Sequence, residues 1–208
     1  MAGVRLSLAI NIVLKITIME NYIKKFLNEV SLQINNAPWK EIACAIRILQ
    51  TTYEHEGKIY LIGNGGSAAI ASHFANDLNK TVLGRKGEKI AKRFQAICLA
   101  DNASAMTAWA NDVGFENIFS EQLKNFAQEK DTLIAISSSG NSPNVIKATE
   151  VAKNLHLKII GLTGFDGGKL SSVSDAKISF PSQKYEIIES AHDTICHLII
   201  TYFEEVIK

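Results

Sequence analysis

Lys58 to Asp77 reads KIYLIGNGGSAAIASHFAND, and the reading of this stretch decides the fold. Ile59, Tyr60, Leu61 and Ile62 are β-branched, aromatic or large apolar residues, the composition of a short buried strand. Gly63-Asn64-Gly65-Gly66-Ser67 cuts that run off, and an alanine-rich segment with helical spacing follows at once. The order is strand, glycine loop, helix. The glycines let the backbone take positive φ and approach a ligand closely, and Ser67 offers a hydroxyl beside the free N–H groups of a helix start. His73 and Asp77, four apart, share one helix face, whereas Ile70, Phe74 and Leu78 form a neighbouring stripe suited to a core. An anion-friendly loop thus stands next to a titratable pair.

The same alternation recurs outward from this unit. Upstream, Ile23, Phe26, Leu27, Val30 and Ile34 recur at three and four and predict an amphipathic helix over Glu20 to Asn35. A second helix starts near Pro38, a favoured first helical residue, and stops at Gly57. Downstream, Lys80 to Lys92 is a polar, glycine-containing connection expected to be mobile. Strands are predicted over Phe94 to Leu99, Thr132 to Ile136, Leu157 to Leu162 and Ala176 to Phe180. Helices are predicted over Ser104 to Asn111, Ile118 to Gln128, Pro143 to about Asn154 and Tyr185 to Ile207, with TGFDGGK a glycine-rich turn. In NDVGFENIF, Asp112 and Gly114 interrupt the helical pattern, a break that suits a functional turn.

Strands alternating with helices imply parallel βαβ units with right-handed crossovers. The predicted class is therefore α/β: a three-layer αβα sandwich with a mostly parallel sheet, preceded by a helical pair. In such sheets ligands sit at the carboxyl ends of the strands, where the glycine loop and the later serine loop both fall. A helical pair ahead of the first strand often packs against a partner subunit, so an oligomer is expected.

Composition narrows the class further. At 208 residues the chain suits one domain with a single sizeable core. Its 22 basic and 21 acidic residues leave a formal charge of +1, without the basic footprint of a nucleic-acid partner. Neither nucleic acid nor membrane is expected as a partner. Cys44, Cys98 and Cys196 fall in apolar contexts without paired spacing, which reads as reduced, non-catalytic thiols in a cytoplasmic protein. Residues 1–18 imitate a targeting signal, but the apolar run is too short to span a bilayer, Lys15 interrupts it, and no cleavage site follows. They are read as an N-terminal extension, disordered or not native, with a single domain over 19–208. A signal peptide is the alternative reading.

Two clusters carry chemistry. Ser137-Ser138-Ser139-Gly140-Asn141-Ser142 follows a buried strand and precedes Pro143 at a helix start. Free N–H groups there carry partial positive charge, and the serine hydroxyls complete a phosphate cradle without Lys or Arg. Capping alone would need one serine rather than four. On the last helix Glu189, Asp193 and His197 recur at intervals of four, as His73 and Asp77 do on the first. Such spacing suits either a metal site or acid/base work.

GNGGSAAIASHFANDL, ANDVGFENIF, ISSSGNSPNVIKA, GLTGFDGGKL and the closing helix, five motifs in order, resemble the sugar isomerase (SIS) fold and, within it, the phosphoheptose isomerases. The resemblance covers about Glu20 to the C-terminus. It implies a cytoplasmic homotetramer that converts sedoheptulose 7-phosphate to D-glycero-D-manno-heptose 7-phosphate for lipopolysaccharide or capsule. Ser67, Ser137, Ser138, Ser139 and Ser142 match the family's substrate and phosphate contacts, with Asn64 and Asp112 in the same site. His73 and His197 match a metal-binding and catalytic histidine pair. Asp77 stands where family members commonly carry Glu, Glu189 where they commonly carry Gln, and Thr81 near the place of a frequent Arg.

Zinc on His73, Asp77, Glu189 and His197 would have its charge neutralised by two carboxylates; without metal those carboxylates would repel and one would hold its proton. The resemblance favours Asp77 as base together with His197, with Glu189 the other candidate carboxylate. A non-catalytic phosphosugar-sensing or scaffold protein, or an isomerase of a related sugar phosphate, are the alternatives.

Overall fold

The computed structural model describes the backbone of residues 2–83 and 92–207 and the side chains of residues 15–83 and 92–207. Two helices lead the chain, α1 (Ala2–Asn35) and α2 (Trp39–Glu54). The βα units follow: β1 (Ile59–Ile62), α3 (Gly66–Asn79), β2 (Ala96–Cys98), α4 (Ala103–Val113), α5 (Ile118–Phe126) and β3 (Thr132–Ser137). The chain closes with α6 (Pro143–Asn154), β4 (Lys158–Gly164), α7 (Gly168–Val173), β5 (Ala176–Phe180) and α8 (Tyr185–Val206). All pairings are parallel, in the order β2-β1-β3-β4-β5.

That order places the helices. The chain steps from β1 outward to β2, then reverses to reach β3 on the other side of β1. With right-handed crossovers, reversal of direction moves the connecting helices to the opposite face. Accordingly α3 packs on one face with α2 and α8, around Ile59, Leu61, Ile134 and Ile160. Helices α4 to α7 cover the other face, around Tyr60, Ile62, Leu133 and Ile159. Alternate residues of the same strands feed the two cores, so the strands are apolar on both sides. This is the predicted three-layer sandwich.

Two expectations differ from the structure in detail, and a third lies mostly outside the described residues. The helix predicted from Glu20 continues backwards as one helix to Ala2, so residues 2–18, read as an extension apart from the domain, carry helical backbone. TGFDGGK contributes β4's end and the start of a six-residue helix, α7, too short for its period to show in sequence. The connection expected over Lys80 to Lys92 lies mostly outside the described residues; its start, Thr81–Leu83, is a 3₁₀ turn.

The layer that holds α3 and α8 also buries a histidine. His192 is fully buried, and its Nε2 meets the carbonyl oxygen of Thr163 at 3.0 Å. Facing a carbonyl, that nitrogen must carry the proton. Burial pushes the His192 pKa down to about 4. The folded value lies below the unfolded one of about 6.5, so stability is intact above that pH and falls as the unfolded chain takes up the proton. Urea unfolding of the parent is expected to lose about 3 kcal/mol more than His192→Gln between the two pH values. Parallel pH slopes for the two proteins would show that His192 does not titrate on unfolding.

Candidate active site

The reversal at β1 brings the carboxyl ends of β1 and β3 side by side, and each releases one of the loops singled out in sequence. Asn64, after β1, and Asn144, in the first turn of α6, donate to each other through their amides at 2.9 and 2.8 Å. This reciprocal pair joins the glycine loop to the serine loop. Gly140 has φ +63°, and a Cβ there would lie 2.7 Å from the backbone carbon of Gly167. Only glycine fits, and α7 thereby supports the serine loop from behind.

Between the loops lies a cavity of about 170 Å³, lined by Asn64, Ser67, Ser137, Ser138, Ser139 and Ser142 together with Ile136, Tyr185 and Glu189. None of these residues is Lys or Arg. Ser142 is the residue that precedes α6, yet its side chain makes no capping hydrogen bond; its hydroxyl lies 3.1 Å from that of Ser137. The buried hydroxyl of Ser138 has no partner among the described residues. Hydroxyls left free of capping at a helix N-terminus are what an anion cradle requires.

The titratable groups gather where α3 packs on α8. Asp77 Oδ2 lies 3.3 Å from His73 Nε2 and 3.8 Å from His197 Nε2. Asp193 faces the other nitrogen of each ring, with Oδ1 3.5 Å from His73 Nδ1 and Oδ2 3.8 Å from His197 Nδ1. The two imidazoles meet edge to face, 5.0 Å between centroids. Two histidines and two aspartates thus close a ring. Asp77 is its buried member, and its second oxygen accepts from the Thr81 hydroxyl at 2.8 Å. Among the described residues, His73, Asp193 and His197 each bring one ligand atom within 4.8 Å of the others, a group able to hold a metal ion.

Within one chain the structure brings together His73, Asp77 and His197, and separately the asparagine and serines of the cradle. Two sequence-predicted residues stand elsewhere. Glu189 belongs to the cradle rather than to the histidine ring: a Cβ on Gly66, the first residue of α3, would lie 2.6 Å from its Oε1. Burial, and secondarily the charge of Glu186, push its pKa up. Asp112 is exposed at the end of α4, hydrogen-bonded by Asn111, and does not line the cavity. Sequence reasoning passed over Asn144 and Tyr185, and it noted the spacing of Asp193 without giving it a place in the site. The signal for Asp193 was there, one turn before His197.

Residues 21–164 match the SIS domain family. The phosphoheptose isomerase of Helicobacter pylori (strain P12) is 42% identical over 161 residues, covering 77% of this chain and 81% of that protein. The phosphoheptose isomerase of Aliarcobacter butzleri is 40% identical over 184 residues, 85% of this chain and 94% of that one.

The chain belongs to the SIS-domain phosphoheptose isomerases.

The solved phosphoheptose isomerase GmhA from Neisseria gonorrhoeae superposes with a TM-score of 0.80 at 29% identity, over 90% of this chain and 99% of that chain. As an isomerase of this family the protein carries one local liability, the carboxylate of Glu189 beside the cradle. Its folded pKa is raised, so the ionised form opposes folding and stability is lost as pH rises. In scanning calorimetry without ligand, Glu189→Gln is expected to melt above the parent at pH 7, and the gap to close as pH falls to about 4, the ordinary carboxylate range. A gap that widened on acidification would contradict the raised pKa.

Proposed function

We propose that this isomerase converts sedoheptulose 7-phosphate to D-glycero-D-manno-heptose 7-phosphate through an enediol, for the heptose of lipopolysaccharide or capsule. One observation carries the reading: the serine cavity, free of Lys and Arg, opens at the start of α3 and α8, and further along the same two helices stands a ring of imidazoles and carboxylates. Ser67 precedes His73 and Asp77 on α3, and Glu189 precedes Asp193 and His197 on α8. A sugar phosphate lying along the two helices has its phosphate at the serine loop and its reacting carbons between Glu189 and the ring.

The hydroxyls of Ser67, Ser137, Ser139 and Ser142, the unpartnered Ser138 and the N–H groups of α6 bind the phosphate, with Asn64 fixing the loop. Binding energy remote from the reacting carbons then orients C1 and C2. Glu189 is the carboxylate that lines the cavity, and its raised pKa suits a group that must both accept and return a proton. In this reading it takes the proton from C1 and delivers it to C2. Asp77, held between His73, His197 and Thr81, acts through the imidazoles. Their N–H groups stabilise the oxyanion, and in the metal-free ring His197 passes a proton between O1 and O2.

The donor set of the ring, two imidazoles and aspartate oxygen, is the chemistry that zinc prefers. Zinc held there, when bound, supplies polarisation of the substrate carbonyl.

Met19, Ile23 and Leu27, four apart on one face of α1, are each about half exposed or more in the single chain. Such an apolar face supports a homo-oligomer, a tetramer by family likeness. Among the described residues no helix is long and apolar enough to cross a membrane. Cys44, Cys98 and Cys196 are unpaired, and burial pushes the Cys98 thiol up to about 12, which supports inert, reduced thiols and a cytoplasmic setting.

Turnover of sedoheptulose 7-phosphate, followed beside a panel of shorter ketose phosphates, tests the assignment. Glu189→Gln is expected to lower kcat about 10³-fold with little change in KM, His197→Ala and Asp77→Asn about 10²-fold, and Ser137→Ala to act mainly on KM. Near-normal turnover in Glu189→Gln with a dead Asp77→Asn would return the base to Asp77.

A further inference from the structure

We propose that Tyr185 contacts the substrate's phosphate, its phenol hydroxyl closing the cradle from the side of α8, and that Phe165 is the residue that positions its ring. This rests on the reading of the cradle as a phosphate site.

Tyr185 is the first residue of α8 and stands four residues before Glu189, with Asp193 and His197 following at the same interval. Residues spaced at four share one helix face, so the polar stripe of α8 begins at Tyr185. At about 1.5 Å per residue, Tyr185 lies about 6 Å before Glu189 along the axis and about 18 Å before His197. It therefore belongs to the phosphate end, remote from the imidazoles, and it lines the same cavity as the serines.

A cradle without Lys or Arg must find its donors among hydroxyls and N–H groups. The serines come from the loops after β1 and β3, and Tyr185 brings a hydroxyl from a third element, α8. Among the described residues that hydroxyl has no hydrogen-bond partner. A phenol donates through O–H and carries no charge, so it adds a donor without forming an ion pair with Glu189.

The ring is held by a residue with a strained backbone. Phe165 follows β4 with φ +49°, in the left-handed region that a bulky residue enters only at a cost. Among the described residues, the other non-glycine positions with positive φ are Glu56 and His156, just past the ends of α2 and α6, where this conformation terminates helices. Phe165 ends no helix. Its ring instead meets that of Tyr185 edge to face, 5.2 Å between centroids and 67° between planes. The same turn is tied to the approach to α8: Phe165 N–H donates to the Ser182 carbonyl at 3.2 Å, and Lys184 N–H to the Ser182 hydroxyl at 3.2 Å. With 54% of Tyr185 exposed, the Phe165 contact removes rotamer freedom that phosphate binding would otherwise have to remove. Strain at Phe165 is thereby linked to a preorganised wall of the site.

Binding of inorganic phosphate to the purified full chain, followed by phosphorus NMR line broadening, reads the cradle without turnover. Initial rates on sedoheptulose 7-phosphate read KM and kcat. Tyr185→Phe is expected to weaken phosphate binding and raise KM, each about 10-fold, with kcat within about twofold of the parent. Phe165→Leu is expected to shift both about threefold in the same direction, and Phe165→Tyr, which keeps an aromatic edge, to restore them. In a Tyr185→Ala background Phe165→Leu is expected to change neither, because the ring it positions is gone. Parent-like phosphate affinity in Tyr185→Phe, a loss confined to kcat, or an undiminished effect of Phe165→Leu on top of Tyr185→Ala would overturn the assignment while leaving the cradle a phosphate site. A parent protein that bound no inorganic phosphate would overturn the phosphate reading of the cradle and this inference with it.

Discussion

The reversal of strand order at β1 is the constraint from which the rest of the molecule follows. Right-handed crossovers leave the chain no choice of face once the direction of travel along the sheet is fixed. Going from β1 to β2 puts α3 on one side, and returning to β3 puts α4 and α5 on the other. The same reversal opens a gap at the carboxyl ends of β1 and β3, and the glycine and serine loops leave the sheet there. The mutual amide pair of Asn64 and Asn144 then locks the two loops at a fixed separation. Because α8 returns to the face of α3, residues more than a hundred positions apart come within ion-pair distance.

The site that results divides its electrostatics along two helices. At the strand ends the cavity is lined by hydroxyls and amides without Lys or Arg, so Glu189 stands there without a competing ion pair. Its charged form is disfavoured by burial and secondarily by the charge of Glu186. Further along, the paired imidazoles lie between two aspartates in different surroundings, Asp77 buried and hydrogen-bonded by Thr81, Asp193 open to solvent.

Two departures from the family pattern find a physical account in this arrangement. Asp77 is one methylene shorter than the Glu common at its position, and Thr81 stands near the place of a frequent Arg. The two are joined here: the Thr81 hydroxyl donates to Asp77 Oδ1, one turn earlier, at 2.8 Å.

Much of this was legible in the residues alone. The five strands, the major helices and the parallel sandwich followed from apolar runs of strand length alternating with helical periodicity, because burial on both faces of a parallel sheet leaves so plain a mark. The gathering of the serines about one cavity was legible too, since four serines after a buried strand exceed what capping requires. Helix α7 escaped because six residues opening on two glycines show no period. The partnership of Asp193 and the removal of Glu189 to the cradle could not be read from sequence. Spacing of four places Glu189, Asp193 and His197 on one stripe of a helix, and only the position of α3 against that stripe determines which of them meets His73. Local periodicity records which face of an element is buried; which polar groups confront one another across two elements is settled by packing.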